Sequence, residues 1–382
     1  MTTTPEQNRE GLVILAKYQL LRRMGEGGMG EVWLARHLAL DAEVAVKVAR
    51  PELLGTEVGD RLLHEARVLA RLDHPSIVRV LDSGTDERGF PFMVMELLRG
   101  PSLRQMLAVR RRLSSRAAAR ILLPVASALA AAHAHGIVHR DLKPDNVILV
   151  PDGSGALTPK VFDFGIARCV TSPGGALPED EGTLFGSPEY MSPEQAVGDA
   201  PVDARTDVWA FCVLFHELVS GRSPFARSSL AATLRAVAYG SIPSLPSAET
   251  SEGDRTLSAL LAQGLARDPG CRWPSMQELG EQLAVWALRQ GVAEDAAGIS
   301  VRTHWLCHAL RPLSDPPRST PGLVSPTRAP TVAGPAARRP GSVRVPSLVS
   351  ATLVAVLLAA GAVSLARAFR TVAPTSSQHH GR

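Results

Sequence analysis

The spacing of hydrophobic and polar positions divides the chain into several regimes. Between residues 20 and 100, short apolar runs such as Glu31-Val32-Trp33-Leu34-Ala35, Val44-Ala45-Val46-Lys47-Val48 and Pro91-Phe92-Met93-Val94-Met95 alternate with Gly, Asp and charged residues. Runs of this kind, rich in β-branched side chains, predict strands. One helix is expected among them, over Arg61–Leu72, where Leu62, Leu69 and Leu72 recur among charged residues until His74-Pro75 stops it. From Leu103 onward helical spacing dominates, notably over Arg116–His135 and Val208–Val219. A small sheet-rich part followed by a larger helical part predicts an α+β fold.

The last 70 or so residues follow other rules. Residues 312–346 contain nine prolines among Ser, Thr, Gly and Arg, a composition that cannot bury enough apolar surface to fold and predicts an extended linker over 312–344. Residues 345–366 are 22 positions without a charge; at ~1.5 Å per residue they span a hydrocarbon core of roughly 30 Å, which predicts one transmembrane helix. Ser347, Ala351, Ala355 and Ala359 fall on one face of it, a pattern that would let two such helices approach closely and allows a homodimer, although alanine is abundant throughout the chain and the row is equally what composition alone gives. The sixteen residues 367–382 are expected to form a short extracytoplasmic tail.

Charge and cysteine content sharpen this picture. The formal net charge is +4, but residues 312–344 hold five Arg against one Asp, and Arg367, Arg370 and Arg382 follow. The basic surplus therefore sits in the tail, no cationic face is evident in the folded part, and nucleic acid is not an expected partner. Arginines flank the apolar span on both sides, so charge alone does not orient it. Cys169, Cys212, Cys271 and Cys307 are far apart and form no C-x-x-C pair, which argues against a zinc site or a disulfide framework. The polar first ten residues and the short run Leu12–Ala16 give no secretory signal. The folded part is expected in the cytoplasm, on a single-pass anchor in the inner membrane.

Several constellations carry chemistry. Gly25-Glu26-Gly27-Gly28-Met29-Gly30-Glu31-Val32 lies between two predicted strands; glycines there let the backbone approach phosphate and direct N–H groups at it. A dinucleotide site would continue into a helix, whereas here a strand follows, bearing Val44-Ala45-Val46-Lys47. An ammonium in an apolar strand needs anionic partners, and phosphate together with Glu65 of the following helix would supply them. Farther on stand His139-Arg140-Asp141-Leu142-Lys143-Pro144-Asp145-Asn146 and Asp163-Phe164-Gly165.

These five motifs, in this order, resemble the protein kinase family, and in particular the eukaryotic-like serine/threonine protein kinases of bacteria that are anchored in the membrane. The resemblance runs from Tyr18 to Leu288 and implies a two-lobed fold, with a small β-rich lobe and a larger helical one. It implies a kinase domain over 18–290, after an N-terminal extension 1–17; beyond the resemblance, residues 291–311 are expected to form a terminal helical extension that includes a packed helix from Gly298 to Leu310. It implies ATP and Mg²⁺ as cofactors, Mn²⁺ being an alternative metal, and protein Ser or Thr hydroxyls as substrates. Asp141 and Lys143 would be catalytic, Asn146 and Asp163 would hold the metal, and Lys47, fixed by Glu65, would contact the α- and β-phosphates. The glycine-rich residues, Val32, Ala45, and the hinge residues Met95, Glu96 and Leu98 would surround the nucleotide, with Met95 as gate residue. Gly186–Gln195 resembles the substrate loop, with Ser187 in it and Ser192-Pro193-Glu194 closing it; Arg272 matches the arginine that pairs with Glu194. Arg140 before the catalytic Asp implies activation by phosphorylation, Thr183 being the expected site.

Ser187, Ser192 and Cys212 depart from the usual Thr, Ala and Gly of the family, and none of these removes a catalytic group. Lys143 after the Asp favours Ser/Thr over Tyr as acceptor. Two rival readings are a pseudokinase scaffold without turnover, disfavoured by the complete set of charged residues, and a small-molecule kinase, disfavoured by the peptide-supporting loop Gly186–Glu194.

Overall fold

The computed structural model describes residues 9–27, 30–50, 57–153, 155–164, 187–198, 201–242, 244–245 and 252–306. The predicted linker and transmembrane helix, Thr183, Gly28 and Met29 lie outside these residues.

The small lobe is an antiparallel sheet of β1 (Val13–Ile14), β2 (Tyr18–Glu26), β3 (Gly30–His37), β4 (Ala42–Ala49), β5 (Val80–Thr85) and β6 (Pro91–Glu96), in the order β1-β2-β3-β4-β6-β5. Its two faces are built by the period-2 alternation of β4. Val44, Val46 and Val48 join Ile14, Tyr18, Leu20, Trp33, Phe92 and Val94 in one buried cluster. Ala45 and Ala49 turn to the other face, with Met93 and Met95, against Leu62 and Ala66 of α1 (Glu57–Leu69). Small alanines on that face leave room for the helix and for whatever lies below it. Helix α1 begins four residues before the expected Arg61, because a polar first turn precedes the apolar stripe that reveals a helix in sequence.

The large lobe is helical: α2 (Leu103–Arg110), α3 (Ser115–Ala134), α4 (Pro193–Val197), α5 (Arg205–Ser220), α6 (Leu230–Tyr239), α7 (Glu252–Gly264), α8 (Met276–Arg289) and α9 (Val301–Leu306), with one hairpin, β7 (Val147–Pro151) and β8 (Leu157–Val161). The 20-residue α3 is long and apolar enough to cross a membrane, yet it packs against α5 and α8 and is largely buried, as the central helix of a core is. Helix α5 is buried along nearly its whole length, polar residues Asp207, His216 and Glu217 included. The expected helix from Gly298 forms only from Val301, since Gly298 adopts φ +77° and ends a turn instead.

Cys212, where the family often has glycine, is wholly buried in α5, and its burial pushes the thiol well up from its ordinary range. The space for its sulfur is made by Gly264 at the end of α7, where an added Cβ would lie 2.3 Å from Sγ. The packing role expected of Cys212 is thus matched by a compensating glycine.

Candidate active site

Strand β4 carries Lys47, 6% exposed, on the alanine face of the sheet. Its Nζ lies 2.5 Å from Asp163 Oδ1 and 3.7 Å from Glu65 Oε2, the latter carboxylate being wholly buried on α1. Two carboxylates offset the cost of taking one ammonium out of water. Register pairs Lys47 with Val32 on β3 and with Met93 on β6. Val32, Ala45, Met95, Leu97, Leu98 and Phe162 gather in the same apolar cluster, a surface suited to a flat aromatic base. The Glu96 side chain turns away from it: its Oε1 accepts from Lys160 Nζ at 2.6 Å and from the Arg79 N–H at 2.8 Å. Any contact of Glu96 with a base therefore runs through its backbone.

The β2–β3 hairpin contributes the glycines. A Cβ at Gly25 would meet nothing within 4 Å, and one at Gly27 would just touch Gly30 O at 4.0 Å, so both lie beside open space. Gly30 differs: a Cβ there would lie 2.3 Å from Val48 O, so close approach of β4 requires a glycine.

The catalytic-motif loop is held from below by Asp207 of α5. Its Oδ2 accepts from the His139 N–H and its Oδ1 from the Arg140 N–H, both at 2.8 Å, while His133 Nε2 lies 2.7 Å from Oδ2. Burial opposes the charge of Asp207, but the His133 hydrogen bond and the neighbouring His139 keep its carboxyl below its usual range. Arg140 takes φ +64° and Asp163 φ +57°, conformations that non-glycine residues rarely adopt and that surrounding structure must impose. His139 Nδ1 accepts from the Asp141 N–H at 3.2 Å, so its proton sits on Nε2, 3.2 Å from Phe162 O. Its ring packs on Phe164, 4.5 Å between centroids.

Above this base stand Asp141, Lys143 and Asn146. Asp141 Oδ2 lies 3.0 Å from Lys143 Nζ and accepts from Asn146 Nδ2 at 3.1 Å; the same amide donates to Asp141 O at 2.8 Å. With its nitrogen committed to Asp141, Asn146 keeps its carbonyl oxygen as a ligand for a hard cation. The Phe162 N–H donates to Asn146 O at 3.1 Å and ties the strand before Asp163 to this loop. No group of three or more His, Cys, Asp or Glu side chains able to hold a metal alone occurs among the described residues. The oxygens of Asp163 and Asn146 fit Mg²⁺ shared with phosphates rather than a closed protein cage.

The elements over 187–198 are fixed by α5 and by Arg272, which lies between α7 and α8. Glu194 and Arg272, both nearly inaccessible, form a bidentate pair at 2.8 and 2.6 Å. Arg272 also donates to the carbonyls of Ala266, Arg205 and Arg267, so all five of its N–H groups are used. Ser192 caps α4 in a capping box with Gln195 and touches the Thr206 hydroxyl, which explains a serine where alanine is usual. Gln195 Nε2 in turn donates to Arg140 O at 3.0 Å. Ser187 precedes the 3-10 turn Pro188–Tyr190.

Sequence reasoning missed Asp207 as the loop anchor, and Arg104. From α2, Arg104 reaches Asp145 at 3.2 Å, Glu217 at 2.7 Å and Tyr190 Oη at 2.7 Å, and Tyr190 also contacts Glu217. The one available signal was a carboxylate set into an otherwise apolar helix, at Asp207 and again at Glu217.

The sequence profile of the protein kinase domain matches residues 18–283. The chain belongs to the protein kinase family. It is 34% identical over 383 aligned positions to a probable serine/threonine-protein kinase of Corynebacterium efficiens, covering 94% of this chain and 55% of that one. It is also 34% identical to the serine/threonine-protein kinase PknB of Mycobacterium tuberculosis, over 78% of this chain and 48% of the relative. The chain thus spans about half the length of these relatives. Among solved structures, the PknI kinase domain of Mycobacterium tuberculosis superposes with a TM-score of 0.55 at 30% identity, covering 72% of this chain and 98% of that one. The two-lobed kinase fold expected from the motifs is the fold observed.

Three histidines give the kinase domain a pH signature. Burial is the first cause in each: it lowers His139 and His216 from the ordinary histidine range, and lowers His74 to about 4 with help from the charges of His304 and Lys160. A group whose folded pKa lies below its unfolded value stabilises the fold fully above the unfolded value, 6.5, and loses that contribution as pH falls through the folded one. The melting temperature is therefore expected to be flat between pH 7 and 8 and to drop steadily from pH 6.5 toward 4. A melting temperature that rises on acidification to pH 5 would contradict this assignment of neutral, buried rings.

Proposed function

We propose that this protein is a serine/threonine protein kinase that transfers the γ-phosphate of ATP to Ser and Thr hydroxyls of proteins, including its own activation loop. One observation supports this most: Asp141, Lys143 and Asn146 converge on one rigid loop while Lys47 and Asp163 meet beside it. In this reading Asp141 orients the acceptor hydroxyl and takes its proton, and Lys143 offsets charge on the phosphate in flight. Lys47, positioned by Glu65, holds the α- and β-phosphates beneath Gly25–Gly30. Bound Mg²⁺, or Mn²⁺ in its place, would neutralise phosphate charge from Asn146 and Asp163. The apolar face around Ala45, Val32, Met95 and Leu98 receives the adenine, and Ser187 lies in the loop that supports the acceptor peptide.

Thr183 is the proposed phosphorylation site, with Arg140 as the residue its phosphate would meet. Residues 345–366 would anchor the kinase to the inner membrane with the catalytic domain cytoplasmic, and their row of small residues would pair two copies. The test is incubation of the full chain with ATP, Mg²⁺ and a mixture of proteins, followed by mass spectrometry. Phosphoserine and phosphothreonine on added proteins, and on Thr183, are expected. Nucleotide binding without any transfer would identify a scaffold instead.

A further inference from the structure

The described chain closes on α9, beyond the residues matched by the kinase profile. It is nevertheless built into the domain. Trp305, 3% exposed, fills the space above Gly280 of α8, where an added Cβ would lie 2.2 Å from its ring. The segment leading to it is hydrogen-bonded on both sides: the Ala296 N–H donates to Arg120 O of α3 at 2.8 Å, and the Leu157 N–H of β8 donates to Ala296 O at 2.9 Å.

His304, next to Trp305, starts a longer connection. Its Nε2 lies 2.7 Å from Ser127 Oγ on α3, and that oxygen lies 3.0 Å from His74 Nε2, in the loop between α1 and β5. His74 Nδ1 accepts from the Ser76 N–H at 3.0 Å. Ser76 O accepts from the Val161 N–H at 2.9 Å, and the Val78 N–H donates to Val161 O at 2.9 Å. Val161 ends β8, two residues before Asp163. The donor directions are fixed from one end, because a backbone N–H only donates. With Nδ1 accepting, neutral His74 carries its proton on Nε2 and donates it to Ser127, whose hydroxyl then donates to His304.

We propose that His304 and Ser127 are positioning residues for the metal-binding strand: the chain His304, Ser127, His74, Ser76, Val161 couples the docking of α9 to the placement of Asp163. This rests on the reading of Asp163 as a metal ligand in phosphoryl transfer. Its physical content is that the last helix before residues 307–382 shares a hydrogen-bonded path with both the α1–β5 loop and the strand that delivers Asp163, so whatever displaces α9 loosens both. Neither residue touches the reacting groups. Their effect should appear in how firmly Asp163 is held and not in substrate recognition.

The test uses the full chain with Ser127→Ala, His304→Ala, His304→Gln and the double Ser127→Ala/His304→Ala variant. Two readouts are followed: hydrogen exchange of peptides covering Leu157–Val161 and Val78, and the Mg²⁺ concentration giving half-maximal phosphoryl transfer. Each alanine variant is expected to speed exchange in these peptides about fivefold, the change that one lost hydrogen bond produces. Each should also raise the Mg²⁺ requirement by roughly the same factor, with KM for the protein substrate unchanged. The double variant should be no worse than either single one, since both cut one path. His304→Gln, whose amide oxygen still accepts from Ser127, should restore wild-type behaviour. Ser127→Ala lies outside α9 and reads the link even where His304→Ala disturbs Trp305. Unchanged exchange and Mg²⁺ dependence in both single variants, or additive effects in the double one, overturn the proposal. A wild-type chain that transfers no phosphate sinks the kinase reading alone, because exchange at β8 still decides the coupling.

Discussion

Replacing Asp141 with Asn is expected to lower phosphoryl transfer about a thousandfold while leaving the melting temperature nearly unchanged. The substitution keeps shape and keeps an oxygen for the Asn146 amide, which now donates to Asp141 Oδ2 at 3.1 Å. It removes the charge that, in the proposed mechanism, would orient the acceptor hydroxyl and take its proton. Lys47→Met should be as inactive but less stable, and the contrast is informative. The lysine sits 3.7 Å from the wholly buried Glu65 carboxylate and 2.5 Å from Asp163, so its loss leaves a buried negative charge without its countercharge, which costs several kcal/mol or forces protonation. Initial rates with a protein substrate, paired with thermal melts of both variants, check this. An Asp141→Asn enzyme keeping more than about a tenth of the rate would remove Asp141 from the mechanism, since a preorganised charge at the reacting centre is worth far more.

Arg272→Ala is expected to give the largest loss of stability, about 3–5 kcal/mol. For a domain of this size that is a fall in melting temperature of roughly ten degrees. The deletion strands Glu194, 3% exposed, and leaves the carbonyls of Ala266, Arg205 and Arg267 without the donors they now share. It also removes the guanidinium from the face of Trp209, 5.2 Å away. Arg272→Lys should recover less than half, because an ammonium with three N–H groups cannot serve five acceptors arranged for a planar fork. Removing both partners together, as Glu194→Leu with Arg272→Leu, should cost less than the sum of the single changes, since no lone charge remains buried. Calorimetry of the wild type and these variants, both single leucine changes included, decides it; a loss below about 1 kcal/mol for Arg272→Ala would mean the pair is not the lock it resembles.

Much of this site was legible along the chain because its groups come in short runs. Lys47 and Ala45 could be placed on one face of a strand from alternation alone, and Asp141, Lys143 and Asn146 lie within six residues. The pairing of Glu194 with Arg272 followed from resemblance and is present in the structure. What could not be read is whatever depends on distant partners. Asp207 sits 67 and 68 residues from the amides it holds, and in sequence it is only an acid near the start of a helix. Arg104 binds groups 41, 86 and 113 positions away. Nothing local distinguishes it from a solvated helix arginine. The exchange of volume between Cys212 and Gly264 is hidden for the same reason: each residue is unremarked until α5 and α7 are packed.

The unequal surroundings of the hairpin glycines have a bearing on how such chains drift. Gly30 is demanded by the β4 backbone, whatever the protein binds. Gly25 and Gly27 border open space, so only a ligand lying over the hairpin would penalise a side chain there. A descendant that stopped using nucleotide would be free to change positions 25 and 27 at little cost to its fold, yet would be compelled to keep glycine at 30. Retention of glycine at 30 alone is then a record of sheet geometry, and it is loss of glycine at 25 and 27 that would betray an abandoned ligand site.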